Sequence, residues 1–192
     1  IGKFEEGKID LVVGASLILD AQCTIGNTER VGLDYKELPK DVKSEDILLL
    51  DDGRLKLIVT GVRGHEIHTR VLVGGELSNN KGINRQGGGL TAPALTAKDM
   101  EDIRTAAEID VDFVAVSFPK SASDMYMARQ LLRAAGSSAV LIAKIERVEA
   151  VLNLEEILDA SDGVMVARGD LAVEVGDAAV PTVKVGKQTF RG

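Results

Sequence analysis

The hydrophobic pattern of this chain changes period once, near residue 90, and that change limits the fold more than any other feature. Before it, apolar residues come in short runs or alternate with polar ones. Ile9–Val13 and Leu17–Ala21 are apolar runs separated by Gly14. Ile47–Leu50 leads into Asp51-Asp52-Gly53, and Leu55–Val62 alternates beyond it. Asp-Gly between two such runs signals a hairpin. A second turn at Arg63-Gly64 leads into 65–73, where Ile67, Thr69, Val71 and Val73 share one face. This half predicts a small antiparallel sheet or barrel, ended by Gly74-Gly75. A polar stretch, 78–84, and the cluster Gly87-Gly88-Gly89 follow, and the glycines read as a hinge.

Beyond residue 90 the pattern predicts helices alternating with short apolar strands. Thr96 with Asp99 three positions on is a variant capping signal, followed by Met100, Ile103 and Ala107 at helical spacing. Apolar runs at 113–118, 140–145 and 163–167 read as buried strands. Between them, Met127, Leu131 and Ala135 mark one helix, starting at Ser123 or Asp124 and stopped by Gly136. Val148, Val151, Leu152, Ile157 and Leu158 mark another. Strands spaced by helices imply βα units on a parallel sheet, an α/β class.

Composition excludes several functions. The 192 residues carry 23 basic and 30 acidic side chains, a net charge of −7, which gives nucleic-acid binding no support. No apolar stretch approaches the roughly 18–20 residues of a membrane span. Lys3, Glu5, Glu6, Lys8 and Asp10 interrupt any apolar run near the start, so no signal peptide is expected. The single cysteine, Cys23, rules out an intramolecular disulfide and suits a reducing, cytoplasmic setting.

In βα folds, ligands bind beyond the C-terminal ends of the strands. Three such ends carry polar groups: Ser117 to Lys120, Lys144 to Arg147, and Arg168-Gly169-Asp170. Lys144 and Glu146 are two apart and face the same side of an extended segment. Spacing leaves two readings open, an ion pair sealing the sheet end or a cation and a metal-holding carboxylate at a reaction centre. Asp170 follows the next strand and should lie beside Glu146, and two carboxylates with open positions suit Mg²⁺ or Mn²⁺. Gly169 lets backbone N–H groups approach an anion. Arg-Gly-Asp as an adhesion signal fits poorly with its place at the end of a buried strand. Lys81, in a glycine-flanked polar loop, reads as a solvated lysine or a phosphate contact. His65 and His68 are three apart on a strand and point to opposite faces, so a joint metal site is not expected. Asp51 and Asp52 read as turn residues, and Cys23 as a structural thiol.

Several of these motifs together resemble the pyruvate kinase family, in its bacterial form. The runs are Leu141-Ile142-Ala143-Lys144-Ile145-Glu146-Arg147 and Val164-Met165-Val166-Ala167-Arg168-Gly169-Asp170-Leu171. Asn80-Lys81-Gly82-Ile83-Asn84, Leu95-Thr96-Ala97-Lys98-Asp99 and Val116-Ser117-Phe118 add to them in matching order. The similarity runs from residue 1 to about 181.

The resemblance implies part of a (β/α)₈ TIM barrel with a small all-β barrel lid inserted. The lid would be 1–86, the partial barrel 87–181, and 182–192 an unassigned tail unlike the family's next helix. At about 30 residues per βα unit, 87–181 holds three units, short of the eight that occupy about 250 residues. The implied reaction is phosphoryl transfer from phosphoenolpyruvate to ADP, giving pyruvate and ATP in glycolysis. Lys144 matches the catalytic lysine, Glu146 and Asp170 the Mg²⁺ or Mn²⁺ ligands, and the backbone at Gly169 and Asp170 the holder of the substrate carboxylate. Ser117 and Phe118 match residues near the reacting centre, and Lys81 a lid lysine near the nucleotide phosphates. The family's substrate-binding arginine and its K⁺ ligands lie upstream of residue 1, and a substrate-site threonine lies downstream. A homotetramer is expected for the full-length parent, and no turnover for this chain alone. Rival readings are a non-catalytic lid or binding fragment, and a metal-dependent keto-acid aldolase or lyase using Lys144 as a Schiff base.

Overall fold

The alternating half of the sequence builds strands whose inward residues form a core of their own. A computed structural model of the chain describes residues 1–176, so the tail expected over 182–192 lies outside the described residues. The chain divides into two compact units after Ala92.

The first unit contains β1 (Lys3–Phe4), β2 (Lys8–Leu11), β3 (Ser16–Asp20), β4 (Ile25–Gly26), β5 (Arg30–Gly32), α1 (Leu38–Asp41), β6 (Ile47–Leu50), β7 (Leu55–Arg63), β8 (Glu66–Val73), β9 (Gly75–Ser78) and β10 (Ile83–Arg85). Six strands form one sheet in the order β10-β6-β7-β8-β3-β5, and β1-β4 and β2-β9 form two-stranded pairs. The sheet is mixed rather than antiparallel throughout, because β3 pairs β5 in parallel, as β1 pairs β4. The short β4 and β5 carry too few apolar residues to announce themselves. Gly74-Gly75 does not end the sheet structure either. Gly75 opens β9 against β2, and β10 returns from the polar stretch to pair β6. Backbone hydrogen bonding places these two strands despite their polar sequence.

The expected hairpin is present, with Leu50 opposite Leu55 and Asp51, Asp52 and Gly53 all left-handed at φ 48°, 55° and 81°. Asp tolerates that region better than most residues and glycine enters it freely. Leu55, Leu57 and Val59 of β7 are buried with Ile67 and Val71 of β8 and Leu17 and Leu19 of β3. Each such side chain contributes about 1.5–3 kcal/mol when fully buried. Thr69 shares this face, and its hydroxyl donates to Leu17 O at 2.7 Å, which satisfies a group that would otherwise cost stability. Val73, expected on the same face, ends its strand exposed.

The first unit runs on past the glycine cluster. Leu90 joins the first core, and Thr91 donates its backbone N–H to Asp41 Oδ2 at 2.8 Å. Arg85 donates to Gly88 O at 3.2 Å and to Asp46 Oδ1 at 3.0 Å, so the glycines wrap an anchored guanidinium.

The second unit begins at Pro93 and contains α2 (Ala97–Glu108), β11 (Phe113–Val116), α3 (Ala122–Ala134), β12 (Val140–Ile145), α4 (Val148–Leu152), α5 (Leu154–Ala160), β13 (Gly163–Val166) and α6 (Arg168–Val175). β11, β12 and β13 lie side by side and parallel, which is an α/β arrangement. Thr96 and Asp99 cap α2 reciprocally, with Asp99 Oδ2 accepting the Thr96 N–H at 2.7 Å. α3 starts earlier than expected, with Ser121 as its N-cap, because Asp124 Oδ2 accepts the N–H groups of Lys120 and Ser121. The helix expected over 148–158 is broken at Asn153, whose Nδ2 donates to Lys120 O at 2.9 Å. Among the described residues no helix is long and apolar enough to cross a membrane.

One face of this sheet is buried. Val116, Leu141, Ala143 and Ile145 pack with Met125, Ala128, Leu132 and Ile157. The register sets Phe113, Val140, Lys144 and Met165 on the other face. There Phe113 is 66% exposed and Met165 51%, so the run expected to be a fully buried strand is buried on one side only. Exposed apolar faces of this kind drive association. Light scattering at high concentration should therefore show the 192-residue chain self-associating, and Phe113→Ser with Met165→Ser should reduce it. Monodisperse monomers would contradict this.

A Cβ on Gly74 would lie 2.3 Å from Leu11 O, whereas one on Gly61 meets nothing within 4 Å. Gly74→Ala should destabilise the chain by about 1–3 kcal/mol in urea unfolding, the range for overpacking, and Gly61→Ala should be near neutral.

Candidate functional site

Parallel pairing brings three strand ends to one edge of the second unit's sheet. Val116 stands opposite Ala143, and Ile145 opposite Val166, so the chain leaves β11, β12 and β13 close together. Ser117 follows β11, Lys144 is the penultimate residue of β12, and Glu146 comes directly after it. Gly169 and Asp170 occupy the first turn of α6, just past β13, with Asp170 half-buried. The Arg168-Gly169-Asp170 tripeptide is thus helical.

Three of the expected residues form one connected group. Lys144 Nζ donates to Ser117 Oγ at 3.0 Å and lies 2.6 Å from Glu146 Oε1. Glu146 is 1% exposed, and its second oxygen accepts the Phe118 N–H at 2.7 Å. The Lys144 contact compensates the charge on Oε1 but lacks hydrogen-bond directionality, and this buried oxygen has no directed partner. Lys144 itself keeps about a quarter of its side chain exposed. The ion pair left open by the spacing is therefore present, and it combines a buried anion with an accessible cation.

Phe118 contributes in a way that residue type does not reveal. Its φ of +55° is left-handed, a conformation that costs a bulky residue roughly 1–3 kcal/mol. Its N–H is the group bonded to Glu146. Glu174, which the sequence reading did not single out, ties two helices together. It is 4% exposed, and its Oε2 accepts the Val148 N–H at 3.2 Å, joining α6 to the start of α4. Its position four residues after Asp170 on a helix was the available signal, since i and i+4 share a face.

The remaining candidates lie elsewhere. In the first unit, Lys81 Nζ is 2.7 Å from Asp51 Oδ1, so Asp51 is both a turn residue and the partner of that lysine. Cys23 Sγ donates to Ile25 O at 3.2 Å and has no base beside it among its hydrogen bonds. His65 and His68 do not meet each other, but each reaches a different carboxylate. His65 Nε2 is 3.7 Å from Asp20 Oδ1, and His68 Nε2 is 3.1 Å from Glu66 Oε2.

A parallel sheet of βα units, with a lysine, a buried carboxylate and a hydroxyl at its carboxyl edge, places the second unit in the α/β class. The chain belongs to the pyruvate kinase family. The family model "Pyruvate kinase, barrel domain" matches residues 1–188. Pyruvate kinase of Buchnera aphidicola from Acyrthosiphon pisum is 55% identical over 96% of this chain and 39% of its own length. The Haemophilus influenzae enzyme is 56% identical over the whole chain and 41% of its own. The more distant Corynebacterium glutamicum enzyme is 40% identical over 96% and 39%. The chain therefore spans about two-fifths of the length of the curated relatives it matches.

The site edge depends on the register of β12 against β13, which Asp162 holds at the opposite end. Asp162 receives two hydrogen bonds from Arg129, at 3.0 and 3.1 Å, and the Leu141 N–H at 2.8 Å. The Arg129 guanidinium, and then the Leu141 N–H, hold this carboxyl below the usual carboxylate range against the opposing effect of burial. A depressed folded-state value stabilises the fold above the unfolded value of about 3.9, and that contribution disappears as pH falls through the folded value. Asp162→Asn should therefore lower the urea midpoint at neutral pH, with the gap to wild type closing below about pH 4. A gap independent of pH would remove the carboxylate from this role.

Proposed function

We propose that this chain is part of a phosphotransferase that moves the phosphoryl group of phosphoenolpyruvate to ADP. The observation that carries the reading is the Ser117–Lys144–Glu146 group at the carboxyl edge of the sheet, in a chain of this family. Phosphoryl transfer asks little covalent chemistry of a protein and depends on positioning and charge neutralisation.

Lys144 is the cation for this work. Its ammonium sits at a strand end, oriented by Ser117 Oγ and Glu146, and is accessible enough to meet a phosphoryl oxygen. It would neutralise the transferring group and the enolate oxygen left behind, as preorganised donors do in other charge-developing reactions. The backbone at Gly169 and Asp170 would receive the substrate carboxylate. Gly169 adds no side chain there, and a Cβ at this position would meet nothing within 4 Å. Lys81 would exchange its contact with Asp51 for a nucleotide phosphate.

The residues also fit a hard divalent cation. Glu146 Oε1 is a buried anionic oxygen without a directed hydrogen bond, and Asp170 offers a second carboxylate. Together they would hold Mg²⁺ or Mn²⁺, which when bound supplies Lewis-acid polarisation and a template for the phosphoryl oxygens. The Phe118 N–H keeps the other oxygen of Glu146 in place, which fixes the direction in which Oε1 points. K⁺, which the family resemblance adds, would be bound by groups outside this sequence.

In the longer protein, Lys144→Ala should lower kcat by about 10²–10³-fold or more, while phosphoenolpyruvate binding persists. Unchanged activity would remove the assignment. The isolated chain should show no turnover in a coupled assay with phosphoenolpyruvate, ADP and Mg²⁺, because missing positioning groups cost orders of magnitude in rate. Robust turnover would instead make these 192 residues a sufficient catalyst.

A further inference from the structure

The first unit holds a second cluster of donor groups that the proposed reaction does not use. Asp20 of β3 and Glu66 of β8 stand directly opposite each other, and His65 precedes Glu66 at the end of the β7–β8 turn. One donor atom each from Asp20, His65 and Glu66 lies within 4.8 Å of the others. We propose that these three side chains form a binding site for a divalent transition-metal ion of the zinc class.

The distances suit such an ion. Two donors each about 2.0–2.1 Å from a tetrahedral centre are about 3.3 Å apart. His65 Nε2 and Asp20 Oδ1 are 3.7 Å apart, so a small rotation of the imidazole closes the gap. His65 is 45% exposed and sits in a turn, which leaves room for that rotation. Asp20 is buried, and one of its positions is fixed before any ion arrives, because the Gln22 N–H donates to Oδ1 at 2.8 Å.

The groups around the three donors orient them. Arg30 Nη1 donates to Asp20 Oδ2 at 2.5 Å and to Glu66 Oε1 at 3.1 Å, holding the two carboxylates together. His68 Nε2 lies 3.1 Å from Glu66 Oε2. Hydrogen-bonded ligating carboxylates of this kind are the rule at metal centres. Two carboxylates against the single Arg30 charge leave the cluster net negative. Arg63, paired with Glu66 in register, and Arg70, paired with Ser16, stand on the same sheet face and limit how strongly a cation is drawn in. One imidazole with two carboxylates favours zinc, cobalt or nickel over magnesium, which prefers oxygen alone.

Cobalt(II) titration of the full 192-residue chain tests the site, read by visible absorption of the bound ion. The expected result is one saturable equivalent, displaced by Zn²⁺. His65→Ala should weaken it at least tenfold with an unchanged circular dichroism spectrum. Glu146→Gln should leave it intact, which separates this site from the Mg²⁺ site proposed above. Cys23→Ser should also leave it intact. No saturable equivalent, equal binding by His65→Ala, or loss of the signal in Cys23→Ser or Glu146→Gln would each overturn the proposal.

Discussion

Glu146 is the residue on which the second unit's functional edge depends. A carboxylate with 1% exposure is costly to keep ionised unless its charge is answered on the spot. Here a Lys144 ammonium at 2.6 Å, from β12, and a Phe118 N–H at 2.7 Å, from the bend after β11, answer it. The consequence runs outward through the backbone. Phe118 must adopt a left-handed φ to present its N–H, and Ser117 is thereby set beside Lys144. Removing the Glu146 charge would thus release three residues together. Strain at Phe118 is tolerated because a charge-assisted hydrogen bond is worth roughly twice a neutral one.

The same logic explains why a lysine here can be both paired and useful. A fully enclosed ion pair would hold its cation away from solvent and substrate alike. Lys144 lies on the sheet face that also carries exposed Phe113 and Met165, not on the face packed against the helices. Its partner is buried while about a quarter of the Lys144 side chain stays exposed. The pair therefore sets the position of a positive charge without consuming its capacity to meet a second anion. Ser117 adds direction, since a hydroxyl accepts one of the three ammonium protons.

Much of this edge was legible in the sequence because period and chemistry agreed there. The βα alternation placed Lys144, Glu146 and Asp170 at strand ends, and the two-residue spacing of Lys144 and Glu146 put both on one side. Two kinds of feature were illegible. Backbone groups carry no sequence signature, so the Phe118 N–H could not be identified as the partner of Glu146. Partners distant in sequence were equally hidden, as with Asp51 and Lys81, or Asp20 and Glu66, where only sheet register makes the pair. The strands missed in the first unit were short or polar and were placed by ladder bonds rather than by hydrophobic period. The helix break at Asn153 was likewise decided by a tertiary bond, to Lys120 O.

The two units organise their charges in opposite ways, and this bears on what each can do. In the second unit the buried acid Glu146 stands just past a strand end, and its cationic partner Lys144 is shared with one neutral hydroxyl, that of Ser117. In the first, buried Asp20 faces Arg30, one nitrogen of which, Nη1, donates to both Asp20 Oδ2 and Glu66 Oε1. The other oxygen of Asp20 accepts the Gln22 N–H and lies 3.7 Å from His65 Nε2, and the other oxygen of Glu66 lies 3.1 Å from His68 Nε2. One cation answering one acid leaves a group near charge balance, whereas one cation shared by two acids leaves net negative charge that suits a further bound cation. The difference follows from how many acids share each basic side chain.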